Sequence, residues 1–226
     1  MRLYCGIDLH STNSHLAVLD ETRQTILSRK LLNRLEAVLG CLEPYREQLV
    51  GVAVESTFNW YWLVDGLMDQ GYPVQLVNTS AIRQYEGLKF LDDRHDARWL
   101  AHLLQLGILP TGHIYSKQER PVRDLLRRRS FLVRQRTSSL LSLKNLFSRH
   151  TGVQVPATQI KALTPEQVNE TFSDPLIALN FTTMLRVAQE LKAQIVEIEK
   201  TVLRCAKLKP DFEKLKEIRA SATPSL

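Results

Sequence analysis

The chain begins with RLYCGID, residues 2–8, in which Leu3, Cys5 and Ile7 alternate with the intervening positions. An alternation with a period of two predicts a β-strand that turns one face towards a core. Asp8 is a charged residue at a point where this apolar strand should still be running. Because carboxylates at the ends of buried strands rarely lack a partner, Asp8 is the first candidate for a functional residue.

Strands and helical stretches alternate after this opening. Two more β-rich runs, 15–20 and 23–31, complete a predicted meander of three strands. The β-branched run 50–54 is typical of a buried central strand, and the run 73–77 predicts another strand. A stretch with helical spacing precedes each of these last two runs. The first strands are joined by hairpins, and the later strands are reached through helical crossovers. This order predicts an α/β domain with a mixed sheet.

Beyond Pro121 the pattern changes to long helices. Apolar residues recur every seven positions from Leu126 to Phe147, and a second apolar seam runs from Phe181 to Cys205. Such seams are typical of coiled coils and need a partner. We expect self-association through them, with folding of one seam onto the other within the chain as the alternative. The predicted divisions are a domain at 1–116, a basic helix at 117–150, a connector at 151–174 and a coiled-coil helix with a tail at 175–226.

The positive charge is concentrated in the basic helix. Residues 117–150 carry ten basic and two acidic side chains, a net +8, whereas the whole chain carries +6. Eight of the ten are arginine, whose planar guanidinium suits phosphate. This indicates a nucleic-acid-binding helix, although a solvated charged face is the plain alternative. The arginines predicted to bind nucleic acid are Arg120, Arg123, Arg127, Arg128, Arg129, Arg134 and Arg136.

Three further acids join Asp8 as candidates. Glu55 ends the buried run 50–54, and Asp93 and Asp96 stand three residues apart at the start of an amphipathic helix, beside the neighbouring Asp92. Converging carboxylates repel one another unless cations intervene, and oxygen ligands suit Mg²⁺ or Mn²⁺. Two such ions could bind the attacking oxygen and the leaving oxygen when a phosphodiester bond is displaced. Taken singly, each acid could instead form a turn or cap a helix.

These residues resemble a known family. The GID start at 6–8, the EST motif at 55–57 followed by Tyr61, and DRHDA at 93–97 look like the DEDD transposases of bacterial insertion sequences. The better-studied members of that family resemble bridge-RNA-guided recombinases. The likeness extends over most of the chain, including the stretch 120–125 and the long helices.

The resemblance implies an RNase H-like (RuvC-like) domain in which Asp8, Glu55, Asp93 and Asp96 bind Mg²⁺ or Mn²⁺. It also implies DNA as substrate, a structured guide RNA as partner, and metal-dependent strand cleavage and exchange. Family members continue after a Leu-Lys-x-Ile segment into a domain with a nucleophilic serine. This sequence has that segment at 215–218 and then stops at Leu226. We therefore expect an incomplete enzyme that is inactive alone.

Two other functions compete with this one. The chain could be a non-catalytic module that binds nucleic acid and oligomerises. The run 6–14 is also similar to the first phosphate loop of actin-like ATPases, but those need glycine where His10 stands and further glycine-rich loops. Three scattered cysteines exclude a disulfide framework and a zinc ribbon. With neither a signal peptide nor an apolar span in the sequence, we expect a cytoplasmic protein without a membrane partner.

Overall fold

The computed structural model describes residues 1–82 and 93–207. The chain forms two compact units, the first Met1–Ile114 and the second beginning at Tyr115. The segment 215–218 lies outside the described residues. Within the described part, none of the helices is both long and apolar enough to cross a bilayer.

In its described residues the first unit has one sheet and four α-helices. Its strands are β1 (Leu3–Leu9), β2 (Asn13–Leu19), β3 (Thr25–Leu32), β4 (Leu49–Glu55) and β5 (Val74–Val77). Its helices are α1 (Leu35–Leu42), α2 (Tyr61–Asp69), α3 (Thr79–Ile82) and α4 (Asp93–Gln105). A short 3₁₀ helix, Glu43–Gln48, leads from α1 into β4.

The sheet has the order β3-β2-β1-β4-β5. The first three strands pair antiparallel, and β4 and β5 are added parallel to β1. Parallel neighbours need a crossover of a dozen or more residues, and the stretches that contain α1 and α2 provide it. The predicted α/β fold with a mixed sheet is confirmed, and this order is consistent with the RNase H-like architecture.

The two faces of the sheet contact different helices. Cys5 and Ile7 belong to a core with residues of α1 and α2, as the alternation in RLYCGID predicts. Ala53 packs on the opposite face against Leu100 and Leu104 of α4. The central strands are therefore buried on both sides, which explains why β4 reads as a continuous apolar run.

Helix α4 approaches β1 backbone to backbone at Gly6. A Cβ atom built on Gly6 would overlap the carbonyl oxygen of Ala97 and would lie 2.7 Å from the amide nitrogen of Ala101. Both alanines are completely buried. Only glycine on the strand and small residues on the helix permit this separation. These three small residues therefore determine where α4 lies on the sheet.

A turn holds the far end of α4. The Asp20 Oδ1 atom accepts hydrogen bonds from the Thr22 hydroxyl and from the backbone amides of Thr22 and Gln24. These bonds, the Thr22 hydroxyl first, lower the pKa of the Asp20 carboxyl below its usual value. Gln105 Nε2 donates to the carbonyl oxygens of Asp20 and Glu21. The last turn of α4 is thereby fixed to the β2–β3 turn.

The second unit is helical throughout its described part. Its helices are α5 (Arg120–Thr151), α6 (Ala157–Ala162), α7 (Pro165–Thr171) and α8 (Pro175–Lys207). The Thr164 side chain caps α7 in a capping box with Gln167. Phe147, Phe172 and Phe181 contact one another edge-on or tilted and form the centre of this unit's core.

The two predicted seams pack on each other within the chain. Phe181, Ala188 and Ile195 of α8 are buried, and the first two share a core with Leu140 and Leu143 of α5. The long helices are thus confirmed. In the structure one seam packs on the other within the chain, as the alternative to self-association predicts. Other positions of the α5 seam remain open, since Leu126 is 45% and Val133 is 36% exposed. Self-association stays a prediction.

The contact at Gly6 predicts a large loss of stability on adding one methyl group. Gly6→Ala forces a Cβ into helix backbone, and overpacking of this kind costs about 1–3 kcal/mol or more. Gly40→Ala is the matched control, because that glycine is exposed within α1 and a Cβ there meets nothing within 4 Å. It should stabilise by about 0.5–1 kcal/mol. Urea unfolding measures both; equal effects of the two variants would contradict the interpretation.

Candidate metal site and basic helix

Asp8 and Glu55 lie side by side at the carboxyl ends of two parallel strands. The last pair in register between β1 and β4 is Ile7 with Val54, and the two acids follow directly. Side chains alternate along a strand, so Asp8 projects on the same face as Gly6, which is the face towards α4. Glu55 projects there for the same reason, because Ala53 packs against α4. The structure brings these two predicted acids together.

The other two acids lie on α4. Asp96 directly precedes Ala97, the residue whose carbonyl oxygen faces Gly6, and its side chain is partly buried. It therefore stands within one helical turn of the point where α4 crosses β1. Asp93 is the first residue of α4, one turn earlier. Its side chain, and all of Asp92, lie outside the described residues.

Asp8 is buried beside a histidine. The residue is only 2% exposed, and its Oδ2 atom lies 3.1 Å from Nε2 of His10. This oxygen makes no hydrogen bond to the described part of the chain. A buried carboxylate oxygen without a hydrogen bond is costly unless another group satisfies it. At this oxygen the Asp8 carboxylate has the His10 ring as an ion-pair partner when that ring is protonated, and it is otherwise suited to accept a cation.

Two asparagines fix the loops that follow the strands of Asp8 and Glu55. The carbonyl oxygen of His10 accepts hydrogen bonds from Asn33 Nδ2 at 2.9 Å and from Asn59 Nδ2 at 3.1 Å. Asn33 follows β3 and Asn59 follows β4, so three loops meet at one carbonyl. The sequence analysis missed both residues. Each follows a predicted strand by only a few positions, and that placement was the available signal.

The described residues contain no group of three or more histidine, cysteine or acidic side chains arranged to hold a metal ion. The side chain of Asp93 lies outside those residues. Asp8 and Glu55 nevertheless supply oxygen donors of the type that Mg²⁺ and Mn²⁺ prefer. The donor types and the unsatisfied Asp8 oxygen fit such an ion.

The arginines of the basic helix have different surroundings. Arg120 is 5% exposed and its Nε donates to the carbonyl oxygen of Tyr115. Arg123 lies over the Tyr115 ring, with 4.9 Å from its Cζ to the ring centroid. Arg129 Nε donates to Glu199 Oε1 of α8 at 2.7 Å. These three guanidinium groups already have partners within the chain.

The remaining arginines of the predicted set differ in exposure. Arg127, Arg128 and Arg134 are exposed, and Arg128 also lies over the Phe131 ring. Arg136 is partly buried, and its Nε makes no hydrogen bond to the described residues. The exposed arginines are therefore the ones best placed to reach a phosphate backbone.

One face of α5 combines these cations with apolar surface. Arg127 and Arg134 are seven residues apart, which places them on the same side of the helix. Together with Arg123 and Leu126 they line a groove of about 960 Å³ that also borders Cys205 of α8. A groove lined by both arginines and apolar side chains suits a polyanion that also carries flat rings.

The asparagine bonds to His10 predict a non-additive effect on stability. Either Asn33→Ala or Asn59→Ala leaves one donor on the His10 carbonyl and also removes the acceptor of the Ser14 or the Thr57 hydroxyl, so each should cost about 2 kcal/mol. The double variant leaves it with neither, so its cost should exceed the sum of the two. Asn13→Ala is the control, because its side chain bonds only an exposed hydroxyl among the contacts observed. Equilibrium unfolding that finds strict additivity would contradict this account.

The chain matches a known protein family over most of its length. The model of the transposase family DEDD_Tnp_IS110 matches residues 5–151, which is more than half of the chain. No curated protein matches it in a sequence search. The matched range contains all four predicted acids and the whole of α5. The resemblance drawn from the sequence is confirmed, and the chain belongs to the IS110-type family of DEDD transposases.

Proposed function

We propose that the first unit binds Mg²⁺ or Mn²⁺ through Asp8, Glu55, Asp93 and Asp96 and acts on the phosphodiester backbone of DNA during transposition. One observation carries the proposal: the register of β1 and β4 sets two acids side by side on the face that α4 crosses. Family membership supports a transposase-type function for the chain. The metal, the DNA and the site residues are the proposed part.

The carboxylates have an electrostatic reason to bind cations. Asp8 and Glu55 project from neighbouring strands on one face, and unlike exposed acids, Asp8 has little water around it. Like charges in such a place repel more strongly than in water. A divalent ion relieves this repulsion and, once bound, neutralises the charge that develops on phosphate oxygens during cleavage.

The protein's own residues have two roles in this proposal. Asp8 and Glu55 orient the ligand oxygens, because their strands are rigid and buried on both faces. The Asn33 and Asn59 bonds to His10 hold the loops that follow those strands in place. Regular secondary structure and these fixed loops thereby position the substrate phosphate.

Metal titration tests this part. Calorimetry should show Mg²⁺ or Mn²⁺ binding to the intact chain, and Asp8→Asn should weaken it by at least about tenfold, since affinity follows the charge of the ligand set. Without metal, the same variant should melt at a higher temperature because one repelling charge is gone. Glu36→Gln, on α1 at the other face of the sheet, is the control and should bind as the native chain does. Unchanged binding by Asp8→Asn would overturn the assignment.

We further propose that the exposed face of α5 binds the phosphate backbone of DNA and of a structured RNA. The supporting observations are the net +8 charge of residues 117–150 and the exposure of Arg127, Arg128 and Arg134. Arginine at helical spacing can contact successive phosphates without reading the base sequence. The binding should therefore be strong, salt-dependent and tolerant of sequence.

The salt dependence of binding tests which arginines take part. For duplex DNA, each phosphate neutralised contributes about −0.9 to the slope of log affinity against log salt. The combined variant Arg127→Ala, Arg128→Ala, Arg134→Ala should flatten that slope by about two to three units. Arg129→Ala is the control, because this arginine already pairs with Glu199, and it should change the slope by less than about one unit. An unchanged slope in the triple variant would mean that these arginines form a solvated charged face and do not bind phosphate.

A second candidate function is a non-catalytic module that binds nucleic acid and associates with copies of itself. It is favoured by the lack of a three-ligand metal group among the described residues and by the exposed Leu126 and Val133 on α5. Cleavage of end-labelled DNA in Mg²⁺ by the native chain, but not by Asp8→Asn, would select the enzyme. Binding without cleavage, together with dimers in light scattering, would select the module.

A further inference from the structure

Phe58 is exposed at the edge of the sheet where the acids lie. Its side chain is 84% exposed, the largest fraction of any large apolar residue in the described part of the chain. It stands three residues after Glu55, in the loop between β4 and α2. Exposing a phenylalanine to this degree forfeits the stability that its burial would contribute, so its position needs an explanation.

The loop around Phe58 is held by a set of hydrogen bonds. The Thr57 amide donates to the Glu55 carbonyl oxygen at 3.0 Å, and the Thr57 hydroxyl donates to Asn59 Oδ1 at 2.8 Å. The other end of the Asn59 amide donates to the His10 carbonyl oxygen. The two neighbours of Phe58 are thus bonded to the end of β4 and to the loop that follows β1.

The aromatic residues next to Phe58 behave differently. Trp60 is only 4% exposed and contacts the Tyr61 ring edge-on at a centroid distance of 4.5 Å. The same loop therefore buries one aromatic ring in the core of the first unit and leaves another in solvent two residues earlier. Because the hydrophobic effect favours burying both, the loop conformation itself keeps Phe58 outside.

We propose that Phe58 stacks on a nucleobase of the nucleic acid whose phosphate lies at the carboxylates. This inference rests on the proposed function of the first unit. An aromatic ring beside a phosphate site offers a flat surface to any base, because every base has a π-face. Phe58 would hold an unstacked base in place and so determine which phosphate reaches Asp8 and Glu55. It is a positioning residue for the substrate.

The surroundings of Phe58 favour a base over a protein partner. Its sequence neighbours Thr57 and Asn59 are polar and partly buried, so the exposed apolar surface in the described part of this loop is the Phe58 ring. Protein interfaces are formed by contiguous apolar patches of several hundred square ångströms. An exposed ring beside a site for phosphate instead matches the aromatic platforms on which single-stranded nucleic acids stack their bases.

Fluorescence of 2-aminopurine tests the stacking directly. Single-stranded DNA oligonucleotides, each with 2-aminopurine at a different position, are titrated with the intact chain in Mg²⁺. Native protein should quench the probe at one or two adjacent positions, and Phe58→Ala should abolish that quenching and weaken binding about five- to hundredfold. Phe58→Trp should preserve both, whereas Phe58→Leu should lose the quenching although it keeps an apolar side chain.

Controls separate this inference from the function on which it rests. Leu32→Ala removes another exposed apolar side chain of the first unit, 62% exposed at the end of β3, and should leave quenching and affinity unchanged. If native protein binds metal and oligonucleotide but Phe58→Ala binds and quenches equally well, stacking is wrong and the proposed function stands. If Phe58→Ala lowers self-association in light scattering without changing oligonucleotide binding, the ring contacts a protein and the inference is overturned. If native protein binds no oligonucleotide, both proposals fail together.

Discussion

The close approach of α4 to β1 at Gly6 is the constraint on which the first unit depends. A helix that crosses a strand backbone to backbone needs glycine on the strand and small residues on the helix, and Ala97 and Ala101 supply them. This contact buries the second face of the sheet. It also places the residue before Ala97, Asp96, near the strand ends that carry Asp8 and Glu55. Stability and the position of the site therefore arise from the same few atoms.

The grouping of acids works against the stability of the fold that holds it. Asp8 is buried and has one oxygen without a hydrogen bond to the described residues, and it projects beside Glu55. The protein compensates by fixing the adjacent loops, since the His10 carbonyl oxygen joins three of them through Asn33 and Asn59. Rigid loops prevent the acids from moving apart to relieve their repulsion.

The faces of helix α5 have different surroundings. One face packs on α8, and there Arg129 is bonded to Glu199 and Leu143 is fully buried. Another face carries exposed arginines and lines a groove. A net charge of +8 over residues 117–150 therefore overstates the number of cations available to a polyanion, because some stabilise the helices instead. Charge counted along a sequence becomes a binding surface only after packing has assigned each arginine to a face.

Local patterns alone determined the strand meander, the mixed sheet, the long helices and the identity of the candidate acids. Alternation and heptad spacing are properties of residues close together in the sequence, so they can be recognised without knowledge of the tertiary structure. Which acids meet was decided by the tertiary structure, because Asp8 and Glu55 become neighbours only through the pairing of β1 with β4. The partner of each apolar seam was decided in the same way, and so were the bonds from Asn33 and Asn59 to His10. These contacts join residues far apart in the chain, and local periodicity contains no information about such pairs.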